Sequence, residues 1–137
     1  IFNNHTAKAI IKGGSMYPRI NGIVTFKETK IGTLFTAEIK GLPINKFLQT
    51  EDFLDFIYMK ELPALGNNED ELANAKTHFN PTKCPHPFHV GDLPPLIENN
   101  GYSYMSVLIN KFKIQDIIGK VLIIHDMPDD FTTQPSG

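Results

Sequence analysis

Five histidines occur in this chain of 137 residues, and three of them crowd into one short stretch: His78, His86 and His89. Asp92 follows the third. Three imidazoles and one carboxylate form a complete tetrahedral donor set for zinc, a borderline ion that accepts both nitrogen and oxygen. Pro81, Pro85 and Pro87 keep this segment out of regular helix and lower the entropy cost of gathering the ligands. Gly91 gives a tight turn that can swing Asp92 back towards His89. Any one of these histidines alone would read as a solvated loop residue; the clustering of ligand types is what points to a metal.

The other candidates are weaker. His125 ends the run Val121-Leu122-Ile123-Ile124, and strand alternation places it on the face of Val121 and Ile123, which on its own suggests a hydrogen-bonded core or edge histidine. His5 reads as solvated. Cys84 is a single thiol beside a complete ligand set and reads as incidental. Asp129 and Asp130 read as a turn, where a carboxylate could also hydrogen-bond a ligand imidazole.

These side chains must be positioned by short strands. Residues 7–12, 22–28, 34–40, 104–110 and 121–126 are rich in β-branched and aromatic residues and bounded by Gly or Pro, as at Gly13-Gly14 and Gly41-Leu42-Pro43. Such spacing predicts an all-β antiparallel sandwich or barrel. Ile114, Ile117 and Ile118 predict one helical turn in the 111–119 connection. Residues 69–75 read as weak helix or ordered loop. Residues 78–95, with five prolines, read as a loop organised by metal. Residues 49–65 stand apart: acidic and aromatic, without the punctuation seen elsewhere.

Composition narrows the classes. The chain is long enough for one domain with a proper core, and 41% hydrophobic with 20% charged residues is a globular balance. A net charge of −2 without a basic block gives nucleic acid nothing to bind. No apolar run approaches membrane length, and no leader pattern opens the chain, which also starts without Met. One cysteine allows no intrachain disulfide, so the compartment is not legible from redox chemistry.

Several pieces, in order, resemble the copper/zinc superoxide dismutases, of the bacterial type: Gly22-Ile23-Val24-Thr25-Phe26, Gly41-Leu42-Pro43, His78-Phe79-Asn80-Pro81, His89-Val90-Gly91-Asp92-Leu93-Pro94, Asn99-Asn100-Gly101-Tyr102, Ile118-Gly119-Lys120 through His125, and Asp129-Asp130. The resemblance implies a Greek-key β-barrel over residues 1–137. It implies zinc on His78, His86, His89 and Asp92, and copper on His78 and His125. His78 would bridge the two metals and move the proton during catalysis, and Asp129 would link the two sites without touching either metal. The implied activity is antioxidant: disproportionation of superoxide to oxygen and hydrogen peroxide.

This chain departs from that pattern twice. The family's other two copper ligands come from Gly-Phe-His-Ile-His-Glu; the counterpart here is Asp55-Phe56-Ile57-Tyr58-Met59-Lys60. Ile57 binds nothing, and Met59 is a soft thioether suited to Cu(I). The chain also ends before the family's final strand, its arginine beside copper and its disulfide cysteine. An exposed strand edge would then make a homodimer a candidate association. Back-translation accounts for the first departure. Codons GAT TTC ATA TAC ATG AA for Asp55–Lys60, read from a preceding G, become GGA TTT CAT ATA CAT GAA, which encodes Gly-Phe-His-Ile-His-Glu. The copper motif is therefore either lost or present in a shifted frame, with the frame restored near Leu65/Gly66. Three functions follow as candidates: a dismutase whose written sequence carries frame shifts, a zinc-binding member without catalysis, and a copper-handling or partner-binding module.

Overall fold

The structure is a computed structural model and describes residues 5–44, 54–61 (as backbone), 78–86 and 88–125. Its elements are β1 (Thr6–Lys12), β2 (Asn21–Thr29), β3 (Gly32–Lys40), β4 (Leu54–Glu61), β5 (Asp92–Ile97), β6 (Tyr102–Ile109), the single helical turn α1 (Ile114–Ile117) and β7 (Lys120–Ile124). They form a four-stranded sheet in the order β1-β2-β3-β6 and a three-stranded sheet in the order β5-β4-β7. Every pairing with a described register is antiparallel. The chain is thus almost all β, as expected for the Greek-key class, although these pairings do not themselves close a barrel.

Contacts group the residues into two compact units. One comprises Ile1–Leu54 with Leu96–Ile118, the other Asp55–Pro95 with Gly119–Gly137. The first is built on the pleat. β3 alternates, burying Thr33, Phe35, Ala37 and Ile39 on one side; Val24 and Phe26 of β2 do the same. Phe26 packs against Phe35 with ring centroids 5.5 Å apart and against Phe112 at 5.8 Å. Phe112, Ile114 and Ile117 are buried, so the helical turn adds its apolar residues to this core. Each such side chain contributes on the order of 1.5–3 kcal/mol through burial. The buried Thr33 hydroxyl donates to the Phe112 carbonyl at 3.1 Å, which joins the end of β6 to the start of β3. Lys30 and Ile31 form the two-residue β2–β3 turn, where Thr29 Oγ1 donates to the Gly32 carbonyl at 2.7 Å.

The second unit holds β4 against β7, with Ile57 opposite Ile124, Tyr58 opposite Ile123 and Met59 opposite Leu122. The strand at 54–61 lies in the segment that sequence patterning set apart. The loop expected over 78–95 gives way at Asp92, where β5 begins, despite Pro94 and Pro95. β5 is the edge of its sheet, where a missing N–H is tolerated on the outward side. The helix or loop expected over 69–75 falls outside the described residues.

Candidate metal centre

The proline-rich loop is pinned before it delivers its ligands. The Asn80 side chain spans the turn after it: Oδ1 accepts from the Cys84 N–H at 3.0 Å, and Nδ2 donates to the Cys84 carbonyl at 2.8 Å. The Lys83 N–H donates to the Asn80 carbonyl at 3.2 Å, closing a turn with Pro81 in its second position, where proline's fixed φ is already suitable. A second turn follows, the Phe88 N–H donating to the Pro85 carbonyl at 2.9 Å, and this presents His86. Phe79 is buried, with Lys120 Nζ lying 4.6 Å from its ring centroid, a cation–π contact that ties the loop to the start of β7. Residue patterning alone missed Asn80 and Lys120 as positioning residues. Asn followed by Pro is a turn-initiating pair and was the available signal for the first.

Asp92 opens β5 and closes the cluster. The Asp92 N–H donates to the His89 carbonyl at 3.2 Å, while Asp92 Oδ2 accepts from the His89 N–H at 3.0 Å. The Gly91 N–H donates to the Phe79 carbonyl at 2.8 Å, so the turn expected at Gly91 does return Asp92 to His89 and also to the His78 side of the loop.

One ligand atom from each of His78, His86, His89 and Asp92 lies within 4.8 Å of all the others. The Nδ1 atoms of His78 and His89 are 3.2 Å apart, and His78 Nδ1 lies 2.9 Å from Asp92 Oδ1. Asp92 Oδ2 is 3.4 Å from His86 Nδ1 and 3.3 Å from His89 Nδ1. A tetrahedron with metal–ligand bonds of about 2.0–2.1 Å has edges of about 3.3 Å; several of these contacts are close to that length, and the set of four ligand atoms as a whole lies within 4.8 Å. The side chains are 8% (His78), 2% (His86), 11% (His89) and 7% (Asp92) exposed, which keeps water from competing for the site.

Burial pushes the Asp92 carboxyl up. The His78 hydrogen bond, the charges of His89 and His78 and the His89 backbone N–H outweigh it, and the carboxyl sits below its ordinary value. Asp92 therefore stays an anion where a cation needs one.

The His125 ring lies beside this group, its centroid 6.2 Å from that of His78. β7 ends at Ile124, so His125 leaves the strand alternation expected of it. Cys84 is not among the clustered ligands; Thr82 Oγ1 lies 3.3 Å from its sulfur. His5 pairs with Glu28 at 3.0 Å at the start of β1. Asp129 lies outside the described residues.

A model of the copper/zinc superoxide dismutase (SODC) family matches residues 20–137. The chain belongs to the copper/zinc superoxide dismutase family. No curated protein matches it individually. Proteins of the superoxide dismutase family normally bind both metals, so each donor set can be tested against its ion. Zinc suits the donor types: three imidazoles and a carboxylate whose ligand atoms gather within 4.8 Å of one another. Among the described residues Cu(II), which takes a tetragonal set of nitrogen or oxygen donors, meets an incomplete set. His125 is the one further imidazole that the described residues bring to His78. On β4, the strand paired with β7, Ile57 has no donor atom and Met59 offers a thioether.

Proposed function

We propose that this chain is a superoxide dismutase-like protein whose His78, His86, His89 and Asp92 bind zinc, and that as written it has little or no dismutase activity. Disproportionation converts two superoxide ions and two protons into oxygen and hydrogen peroxide, and it needs a metal that changes oxidation state. Zinc does not change oxidation state; its part is to hold geometry and tune the ligands it touches. His78 is the residue in our reading that would serve both halves of a complete centre, through Nδ1 towards zinc and Nε2 on the other side of its ring. His125 would be a second copper ligand and Asp129 the carboxylate between the sites. The observation that supports the zinc assignment is the buried cluster of three imidazoles and a carboxylate, with one ligand atom from each lying within 4.8 Å of the others. The observation that limits activity is the donor deficit on β4.

That deficit sets the proposal against a second reading, a catalytic copper/zinc dismutase whose copper-ligand codons are frame-shifted. A copper-handling module is the third, resting on the Met59 thioether. Metal analysis of purified protein, followed by superoxide assay before and after copper loading, separates them. The proposal expects stoichiometric zinc and no gain in dismutation on copper loading. Full activity after loading would overturn it, and transfer of bound copper to an acceptor would favour the third reading.

A further inference from the structure

The four-stranded sheet has a second face. β2 and β3 turn Val24, Phe26, Phe35 and Ala37 into the core, so the residues between them point outward. The register carries that outer face across all four strands: Ile10 stands opposite Ile23, Ile23 opposite Glu38, and Glu38 opposite Tyr104. Thr36 Oγ1 and Ser106 Oγ, 2.9 Å apart, join β3 to β6 on the same side. Large apolar side chains are open here: Ile10 is 58% exposed, Tyr104 59%, and Ile23 and Leu108 42% each. Four lysines share the face. Lys8 and Lys12 flank Ile10 along β1, Lys27 lies opposite Leu34, which in turn lies opposite Leu108, and Lys40 lies opposite Tyr102. All four lysines are exposed. The one carboxylate among them is Glu38, whose Oε1 lies 3.7 Å from Lys40 Nζ. Lys8, Lys12 and Lys27 have no carboxylate partner among the described residues. Four cations against one anion leave the face at +3, in a chain whose net charge is −2. The lysines are scattered along the sequence and only strand pairing collects them, so the chain shows no basic block.

We propose that this outer face adsorbs to a bilayer surface carrying anionic phospholipid headgroups. A lysine places its ammonium group among phosphates while its alkyl stem lies along apolar surface. Tyrosine suits the headgroup level, with an apolar ring and a polar hydroxyl. The isoleucines and leucine between them are of the kind that reaches the acyl boundary. These aliphatic side chains separate a lipid surface from a nucleic-acid one. Phosphate charge and base stacking would employ the lysines and tyrosines but leave Ile10, Ile23 and Leu108 without a role. Nothing in the assignment depends on the metal centre.

Sedimentation of the 137-residue chain with lipid vesicles tests it. The chain should bind vesicles of equal parts phosphatidylglycerol and phosphatidylcholine, and not vesicles of phosphatidylcholine alone. Lys8→Gln and Lys27→Gln should each weaken binding about fivefold, the effect of one lysine at an anionic surface. Lys113→Gln, outside the sheet, should leave it unchanged. Ile10→Thr combined with Ile23→Thr should also weaken binding, while leaving its dependence on salt as steep as the parent's. Circular dichroism checks that each variant keeps its strands; if the isoleucine pair cannot be exchanged without unfolding, Tyr104→Ser on the edge strand β6 takes its place. No binding to the anionic vesicles, equal binding to the neutral ones, or lysine variants that bind as the parent does would overturn the proposal. So would a single-stranded oligonucleotide that displaces the vesicles and binds equally well after the isoleucine exchange, an outcome that would make the face a nucleic-acid site.

Discussion

At the scale of single residues, Asp92 carries the most weight. One oxygen faces His78, the other faces His86 and His89 and also accepts the His89 backbone N–H. Asp92→Asn removes the one negative charge in the donor set and replaces an acceptor by a donor. Loss of a partner that merely orients a ligand costs about 10–100-fold in metal affinity, so loss of a ligand should cost more. Competition against a chromophoric chelator measures this, and an unchanged zinc affinity would exclude Asp92 from the site. The same carboxyl sets a pH dependence. Its folded pKa is depressed, so its contribution to stability is fully present above the ordinary carboxylate range and disappears as pH falls through the lowered value. In the metal-free protein, the difference in thermal midpoint between the parent and Asp92→Asn should therefore shrink on acidification below that range. A difference that stays constant down to strongly acid pH would contradict the assignment.

At the scale of elements, the apolar alternation that makes β2 and β3 readable from sequence is also what stabilises them. Phe35 is fully buried between its neighbours, and Phe35→Ala should cost about 3–5 kcal/mol in urea unfolding. Gly41 ends β3 with φ +73°, and a Cβ there would run into the Arg19 carbonyl oxygen. Gly41→Ala should then destabilise by more than about 1 kcal/mol, and a neutral result would show that this turn relaxes. The strands around Val24, Phe35 and Val121, and the turn at Ile114, were legible because period-two burial and isolated isoleucine spacing mark them. Two strands were not. β5 contains Pro94-Pro95, which a strand interior excludes but an edge tolerates. β4 runs Leu54-Asp55-Phe56-Ile57-Tyr58-Met59, where apolar residues fill consecutive positions and no alternation distinguishes its two sides. The four residues of the candidate metal cluster were legible from residue type alone. Their hydrogen-bonded support, Asn80 across the turn and Lys120 over Phe79, was not, because it depends on contacts between side chains and distant or backbone groups.

At the scale of the whole molecule, the family supplies the fold, and His78, His86, His89 and Asp92 form a cluster that could hold a metal; the proposed function places a copper deficit at β4. If the codons for Gln49–Leu65 carry compensating frame shifts, reading the gene one base upstream from Asp55 should give histidine at positions 57 and 59. A gene in which neither position can encode histidine in that frame would make the segment a true divergence. Zinc should also stabilise the folded chain, since its four ligands converge only there. Chelation should lower stability by several kcal/mol, visible as a fall in the thermal midpoint that added zinc reverses. The central claim is a closed zinc site without a competent copper site, and its most direct test is titration of the metal-free 137-residue chain with Zn(II) and with Cu(II), followed calorimetrically. The account predicts one tight zinc per chain, lost in Asp92→Asn, and no second tight site for Cu(II) once zinc is bound. Tight Cu(II) binding to the zinc-loaded chain, or the absence of any tight zinc, would contradict it.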